Sequence, residues 1–238
     1  MQAKRANRHK RLISFSGIDG AGKSTQIGRL CVSLASTGMG VRLIRFWDDV
    51  ATLTRFREAA GHAVFGGETG IGTPSSPINR RDKNVRSWFM TAIRLCLYLA
   101  DAISLRLLIR QEQRSGADVL IFDRFIYDEL ANLELQQPAM RAYARAITRM
   151  VPKPDISYLL DAEPTAARAR KPEYPLEFLD LNRRSFLTLN RCVGALHVIA
   201  PMTADAVERE VLKVAIDEFR PVHGSNPASM GPQISGVR

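Results

Sequence analysis

Nothing in this chain is spaced to hold a metal through cysteine or histidine. The three cysteines, Cys31, Cys96 and Cys192, lie far apart in apolar or helical contexts, and the four histidines are as widely dispersed. Zinc ribbons and disulfide scaffolds are thereby excluded, and the thiols are expected to be free and buried, as in a reducing compartment. No hydrophobic run is long enough to cross a membrane, and the start of the chain lacks the apolar segment of a secretory signal. Acid is missing from the first eleven residues, MQAKRANRHKR, which carry Lys4, Arg5, Arg8, Lys10 and Arg11. Half of the formal net charge of +10 therefore sits in that stretch, and the rest of the chain is too balanced to argue for nucleic acid by itself. Residues 1–11 read as a flexible, solubilising leader, with a nucleic-acid or membrane-surface arm as the alternative.

No internal repeat is visible, and 238 residues suit one domain with a sizeable core. The organising stretch is LISFSGIDGAGKSTQ, residues 12–26. An apolar strand-like run leads into a glycine-rich loop, Gly17, Asp19, Gly20, Ala21, Gly22, Lys23, Ser24 and Thr25, that opens a helix. Glycines allow the turn and a close backbone approach, and successive N–H groups can surround phosphate oxygens. Lys23 can reach the outer phosphates and Ser24 can ligate magnesium. The helix adds its own unsatisfied N–H groups and positive dipole end.

Helical spacing over residues 26–37 stops at Gly38, and residues 41–47 read as a second strand with Val41, Leu43 and Ile44 as core candidates. Arg45 and Asp48 or Asp49 leave its carboxyl end, the side on which parallel sheets bind ligands. Residues 61–81 are rich in glycine and proline and form a loop, either a substrate cover or a peripheral insertion, within an inserted region at about 55–85. The apolar run over 84–112 predicts one buried helix or two joined, with Arg94, Tyr98 and Asp101 as its notable polar positions. Tyr98 is either an ordinary core residue or a surface of the crevice. A third strand over 119–122 ends in Asp123 and Arg124. The carboxylate there can hold magnesium directly or through water, and the guanidinium fork can bridge phosphate oxygens; a structural ion pair is the alternative.

Helices are expected over 127–135 and 140–150, a fourth strand over 155–160, and then a basic segment, TAARARK, with Arg168, Arg170 and Lys171. Such a segment, at about 165–175, suits a lid that neutralises a transferred phosphoryl group and excludes water; a basic solvent face is the alternative. Helix over 176–189, a fifth strand over 196–200 and an amphipathic helix over 204–219 complete the domain, and residues 220–238 read as disordered. Five strands alternating with helices make a three-layer α/β domain with a parallel sheet.

The order of these motifs, ISFSGIDGAGKSTQ, LYLADA, FDRF, and LLDAEPTAARARK followed by EFLDLNRRSFLTL, resembles the thymidylate kinase family of nucleoside monophosphate kinases over roughly residues 11–219. The resemblance implies a nucleoside monophosphate kinase-like P-loop NTPase fold. It implies transfer of the ATP γ-phosphoryl group to a deoxynucleoside monophosphate, usually deoxythymidylate, with Mg2+, in a cytoplasmic enzyme that is commonly a homodimer. By that resemblance Lys23 and Ser24 serve ATP and magnesium, Asp19 faces the acceptor, Arg124 holds the acceptor phosphate, and Arg168 or Arg170 stabilises the transferring group. Positioning and electrostatics would carry the rate, with no covalent protein nucleophile.

Two departures fall on the acceptor side. The family has an aromatic residue followed four positions later by an arginine that bonds the acceptor base, and here Tyr98 is followed by Ala102. The family's Arg-Glu-Pro-Gly turn after the second strand is replaced by residues 45–49, RFWDD. Loss of a polar reader weakens discrimination at a buried base edge. Two other readings stay open: a kinase of a different acceptor, such as a sugar or lipid-linked metabolite, and an ATP-binding interaction protein without acceptor-dependent turnover.

Overall fold

The computed structural model describes residues 10–51 and 88–219. The expected leader up to residue 9, the insertion from residue 52 and the tail from 220 lie outside the described residues. The elements are β1 (Arg11–Ser16), α1 (Lys23–Ser36), β2 (Val41–Arg45), a π-helical turn (Phe46–Val50), α2 (Trp88–Glu112), β3 (Val119–Asp123), α3 (Ile126–Leu130), α4 (Pro138–Met150), β4 (Ile156–Leu160), α5 (Pro164–Arg170), α6 (Leu176–Val193), β5 (His197–Ile199) and α7 (Ala204–Phe219).

All five strands are parallel and lie in the order β2-β3-β1-β4-β5. β1 is central and covered on both faces, so residues 12–16 are all buried, the serines Ser14 and Ser16 included. Alternation then sorts its side chains: Leu12 joins one core, and Ile13 and Phe15 join the other. The first core includes Leu120, Phe122 and Leu159 with Tyr98, Leu105 and Ile109 of α2, Ile147 of α4 and Leu189 of α6. The second includes Ile121, Tyr158 and Leu160 with Ile27 and Leu30 of α1 and Val211 of α7. The result is the three-layer α/β architecture expected, with helices on both faces of the sheet.

Where sequence and structure differ, the cause is tertiary. β2 stops at Arg45, and Phe46 and Trp47 enter the π-helical turn, so the strand is two residues shorter than the expected 41–47. Among the described residues β2 pairs only with β3; Leu43 is 38% exposed, and Ile44 alone of the three core candidates is buried. α2 is one helix of 25 residues, but it is buried on one side only: Leu99, Ile103 and Leu107 are exposed. The expected helix over 127–135 is cut to α3, five residues. The thiols are free as expected but not buried: Cys96 is exposed, and Cys31 and Cys192 are half-buried.

The edges of the first segment are tied down. Lys10 donates to the Glu112 carbonyl (2.7 Å) and the Ser115 hydroxyl (2.9 Å), and Arg11 opens β1 with an ion pair to Asp155 at 3.1 Å. Among the described residues no helix is long and apolar enough to cross a membrane.

Candidate active site

The glycine-rich loop leaves the carboxyl end of β1 and runs directly into α1. Gly17, Gly20 and Gly22 have φ of 142°, 79° and 91°, values that favour glycine. Space enforces two of the three. A Cβ on Gly17 would lie 2.6 Å from the Leu160 carbonyl oxygen, and one on Gly20 would collide with the backbone of Ala167 on α5. Ala21 closes the loop by donating its N–H to the Ile18 carbonyl (3.2 Å), and Ser24 and Thr25 stand exposed on the first turn of α1.

Lys23 turns back over the loop, where its Nζ donates to the carbonyls of Gly17 (2.8 Å) and Ile18 (2.9 Å). Its side chain is buried, and burial first, then the nearby Arg124, push its pKa down to about 8 against the opposing pull of Asp128, Asp19 and Asp123. The lysine is thus held by the carbonyls of its own loop.

Arg124 follows β3 with φ 69°, the left-handed region that a non-glycine residue seldom adopts, while its N–H still donates to the Phe15 carbonyl of β1 at 2.9 Å. This geometry turns the guanidinium towards the loop. Its Nη2 donates to Asp19, and its Nη1 donates to Asp128 at 3.2 Å. Burial alone would raise the Asp19 carboxyl, yet Arg124, then Lys23 and Lys171, outweigh it and hold the carboxyl below its ordinary value. Asp123, half-buried at the end of β3, stands in register with Phe15 of β1 and Arg45 of β2.

Asp128 is the residue that sequence reasoning missed. It is buried, accepts from the Ser16 hydroxyl (2.7 Å) and the Phe125 N–H (3.2 Å), and carries the other half of the Arg124 fork. Burial lifts its carboxyl above the ordinary value despite Arg124 and Lys23. The available signal was the four-residue spacing from Arg124 in DRFIYD, which places a carboxylate one helical turn beyond the guanidinium.

The basic segment after β4 forms α5 and lies against the loop. Ala167 is the backbone that Gly20 must admit, and Arg170 Nη1 is 3.6 Å from where a Cβ of Gly22 would be. Arg168 is half-buried on the same helix, and it is Arg170 that approaches Gly22. Lys171 bonds Glu173 at 3.2 Å.

The acceptor-side candidates fare differently. Tyr98 is only 5% exposed and Ala102 is fully buried in the first core. Burial above all, then the Glu129 carboxylate that accepts from it, drive the Tyr98 hydroxyl well above its ordinary pKa, and Arg94 and Asn132 are its other polar neighbours. Arg45 is exposed, and its backbone N–H donates to Asp49 at 2.8 Å, so that Asp49 caps the π-helical turn. The described geometry therefore joins Asp19, Lys23, Arg124, Asp128 and Arg170 around one crevice, with Arg45 at the end of the edge strand and Tyr98 within the packed layer behind.

No family model matches the chain. Curated relatives do: thymidylate kinases from two strains of Bifidobacterium longum are 29% identical over 163 residues, 66% of this chain and 69% of theirs. A probable thymidylate kinase of Archaeoglobus fulgidus is 28% identical over 216 residues, 87% of this chain and 95% of its own length. The chain is thus similar to thymidylate kinases of two genera over most of its length, and it carries a parallel sheet with a glycine-rich loop after the central first strand.

Proposed function

We propose that the chain is a nucleotide kinase that transfers the γ-phosphoryl group of ATP to a nucleoside monophosphate, with deoxythymidylate the first acceptor to test. One observation carries this reading: Arg124 is bonded to Asp19 of the phosphate loop, so the donor loop and the Asp-Arg pair after β3 form one cluster rather than two separate motifs. A guanidinium held at that point can receive an acceptor phosphate by exchanging Asp19 for phosphate oxygens. The family relatives bear the same name over most of the chain, which supports a phosphotransferase.

The roles follow from what each group can do. Backbone N–H groups of residues 17–25 and the Lys23 ammonium receive the donor phosphates. Asp19 orients Arg124 until the acceptor arrives and then contacts the acceptor. Arg170, or Arg168 after a small shift of α5, meets charge that spreads over the transferring group. Ser24 and Asp123 offer hard oxygen donors at the mouth of the crevice, which suits Mg2+. When bound, that ion draws charge from the phosphate oxygens. Asp128 stays buried and keeps Arg124 on its post.

The buried Tyr98 and Ala102 favour a second reading for the acceptor alone. An aromatic ring locked to Glu129 and packed in the core is poorly placed to stack on a base, which supports a small-molecule acceptor other than deoxythymidylate. Purified protein incubated with ATP, Mg2+ and each deoxynucleoside monophosphate, and with a panel of sugar and other small phosphate acceptors, separates the two. Acceptor-dependent ADP greatest with deoxythymidylate is the expected result. ADP formed only with a non-nucleotide acceptor would select the second reading, and none with any acceptor would overturn the kinase.

A further inference from the structure

Outside the cluster already described, the densest ion-pair arrangement among the described residues is at the root of α5. Arg183 of α6 donates from Nε and a terminal nitrogen to both oxygens of Asp161, at 2.6 and 2.8 Å, and its remaining Nη1 pairs with Glu163 at 2.8 Å. One guanidinium thus uses all three nitrogens on two carboxylates, a geometry that only a planar fork can satisfy. The two carboxylates bracket a joint. Asp161 follows β4 directly, and its N–H donates to the Ile199 carbonyl (3.0 Å), so it belongs to the rigid sheet. Glu163 precedes the first residue of α5, and its carbonyl accepts the Ala167 N–H at 2.9 Å, so it belongs to the lid. Ala162 lies between them.

α5 has seven residues, too few for a helix to hold its own direction. Its direction is therefore imposed by anchors, and these are the buried Ala167 methyl and the Arg183 bridge. The same helix presents the Ala167 backbone to Gly20 and Arg170 to Gly22. On the other side of the joint, Leu160 meets Gly17, and a small cavity between the loop and α6 is lined by Gly17, Ile18, Asp161 and Arg183. A change in the angle at Ala162 is carried directly into the distance between Arg170 and the phosphate loop.

We infer that Arg183 is a positioning residue: by bridging Asp161 and Glu163 it fixes the lid helix so that Arg170 stands over the phosphate loop. This rests on the proposed phosphoryl transfer, in which Arg170 meets the transferring group. A purely structural ion pair predicts something else, because partly exposed pairs contribute little to stability and would not single out one arginine on the lid.

Two readouts test it on the full chain. Amide hydrogen exchange is compared between the wild type and Arg183→Met, with Glu163→Gln as a milder variant that removes only the exposed arm. Exchange over residues 164–171 is expected to quicken by about tenfold or more in Arg183→Met, and less in Glu163→Gln, while amides of β1 and β3 are unchanged. In turnover, Arg183→Met is expected to lower kcat by roughly 10- to 100-fold with little change in the KM for ATP, as misplacement by about an ångström does. Arg183→Lys, a point charge that cannot span both carboxylates, is expected to resemble Arg183→Met. In an Arg170→Ala background the Arg183→Met change should lower kcat by less than about twofold, because the two residues then act as one unit. Unaltered exchange over 164–171 in both variants, or rate losses that multiply in the double variant, would overturn the inference. If Arg183→Met does not fold, the Glu163→Gln exchange and its cycle with Arg170→Ala decide by the same criteria. A wild type without acceptor-dependent ADP would sink the kinase reading and with it the positioning role, whereas altered exchange over 164–171 would still show that Arg183 anchors α5.

Discussion

Lys23 is 7% exposed and bonded to two carbonyls of its own loop, and its pKa of about 8 states what that burial costs the folded chain. The folded value is below the ordinary 10.5, so the fold disfavours the protonated form. The penalty is complete below about 8 and fades as pH rises to the ordinary value, so this group makes the fold more stable at high pH than at neutral pH. Lys23→Met should therefore abolish acceptor-dependent turnover while raising Tm by a few degrees at pH 7, on the order of 2 kcal/mol, with the gain gone by about pH 10.5. Thermal unfolding of both proteins across that pH range, with the turnover assay alongside, is the measurement. Asp128 behaves in the opposite sense. Asp128→Ala leaves the Ser16 hydroxyl and the Phe125 N–H without their acceptor, which costs about 1–3 kcal/mol. It also leaves Arg124 leaning on Asp19 alone, so the KM for the acceptor should rise more than the KM for ATP.

At the scale of elements, the loop and the lid are two short segments whose shapes are meaningful only together. Gly20 has φ 79° and touches the Ala167 backbone, so a methyl group there meets both backbone strain and a neighbour that cannot rotate away. Gly20→Ala should push α5 off the loop and lower kcat by roughly 10- to 100-fold, with a smaller loss of stability, about 1–2 kcal/mol. Steady-state kinetics and a thermal melt on the same preparation separate the two effects. β3 shows a related dependence. Its apolar run and the Asp-Arg that ends it were legible as a strand and a polar stop, since VLIF permits little else. The left-handed turn at Arg124 was not, because it depends on β3 lying beside β1, a pairing between residues more than a hundred positions apart. α3 is short for a similar reason: the spacing over 127–135 allows a longer helix, but the chain leaves the helix after Leu130 and buries Leu133 and Leu135 in the first core without it.

For the whole molecule, the proposed ligand crevice lies where the chain's order and the sheet's order part company, between strands whose connections leave in opposite directions. β1 has β3 on one side and β4 on the other, so the phosphate loop after β1 is flanked by the Asp-Arg after β3 and by the lid after β4. A ligand that bridges these three segments reinforces the direct contacts they already make, Arg124 with Asp19 and Gly20 with Ala167. ATP with Mg2+ at about 100 times its Kd should therefore stabilise the chain by about 2.7 kcal/mol, read as a rise of roughly 5–10 °C in Tm. Lys23→Met should lose most of that rise. A thermal shift with ATP that is unchanged by Lys23→Met would place the nucleotide elsewhere.

The sequence by itself determined the strand count among the described residues, the alternation of strand and helix, and a glycine-rich loop that opens a helix, because each is written in local periodicity or in a contiguous motif. It also supplied Asp19, Lys23, Arg124 and Arg170 as candidates, since glycines, strand ends and a run of arginines mark such positions along the chain. Which of these meet was decided only by the tertiary structure. Strand order makes neighbours of β1, β3 and β4; β2 buries Ile44 and leaves Leu43 exposed; the packing of α2 buries Tyr98 with Ala102 and leaves Leu99 and Ile103 outside. Asp128 and Arg183, one bonded to Arg124 and the other to Asp161 at the root of α5, look like ordinary helix charges in one dimension. Their partners are brought to them by the sheet, and a carboxylate or a guanidinium has no special chemistry until burial and a second charge give it some.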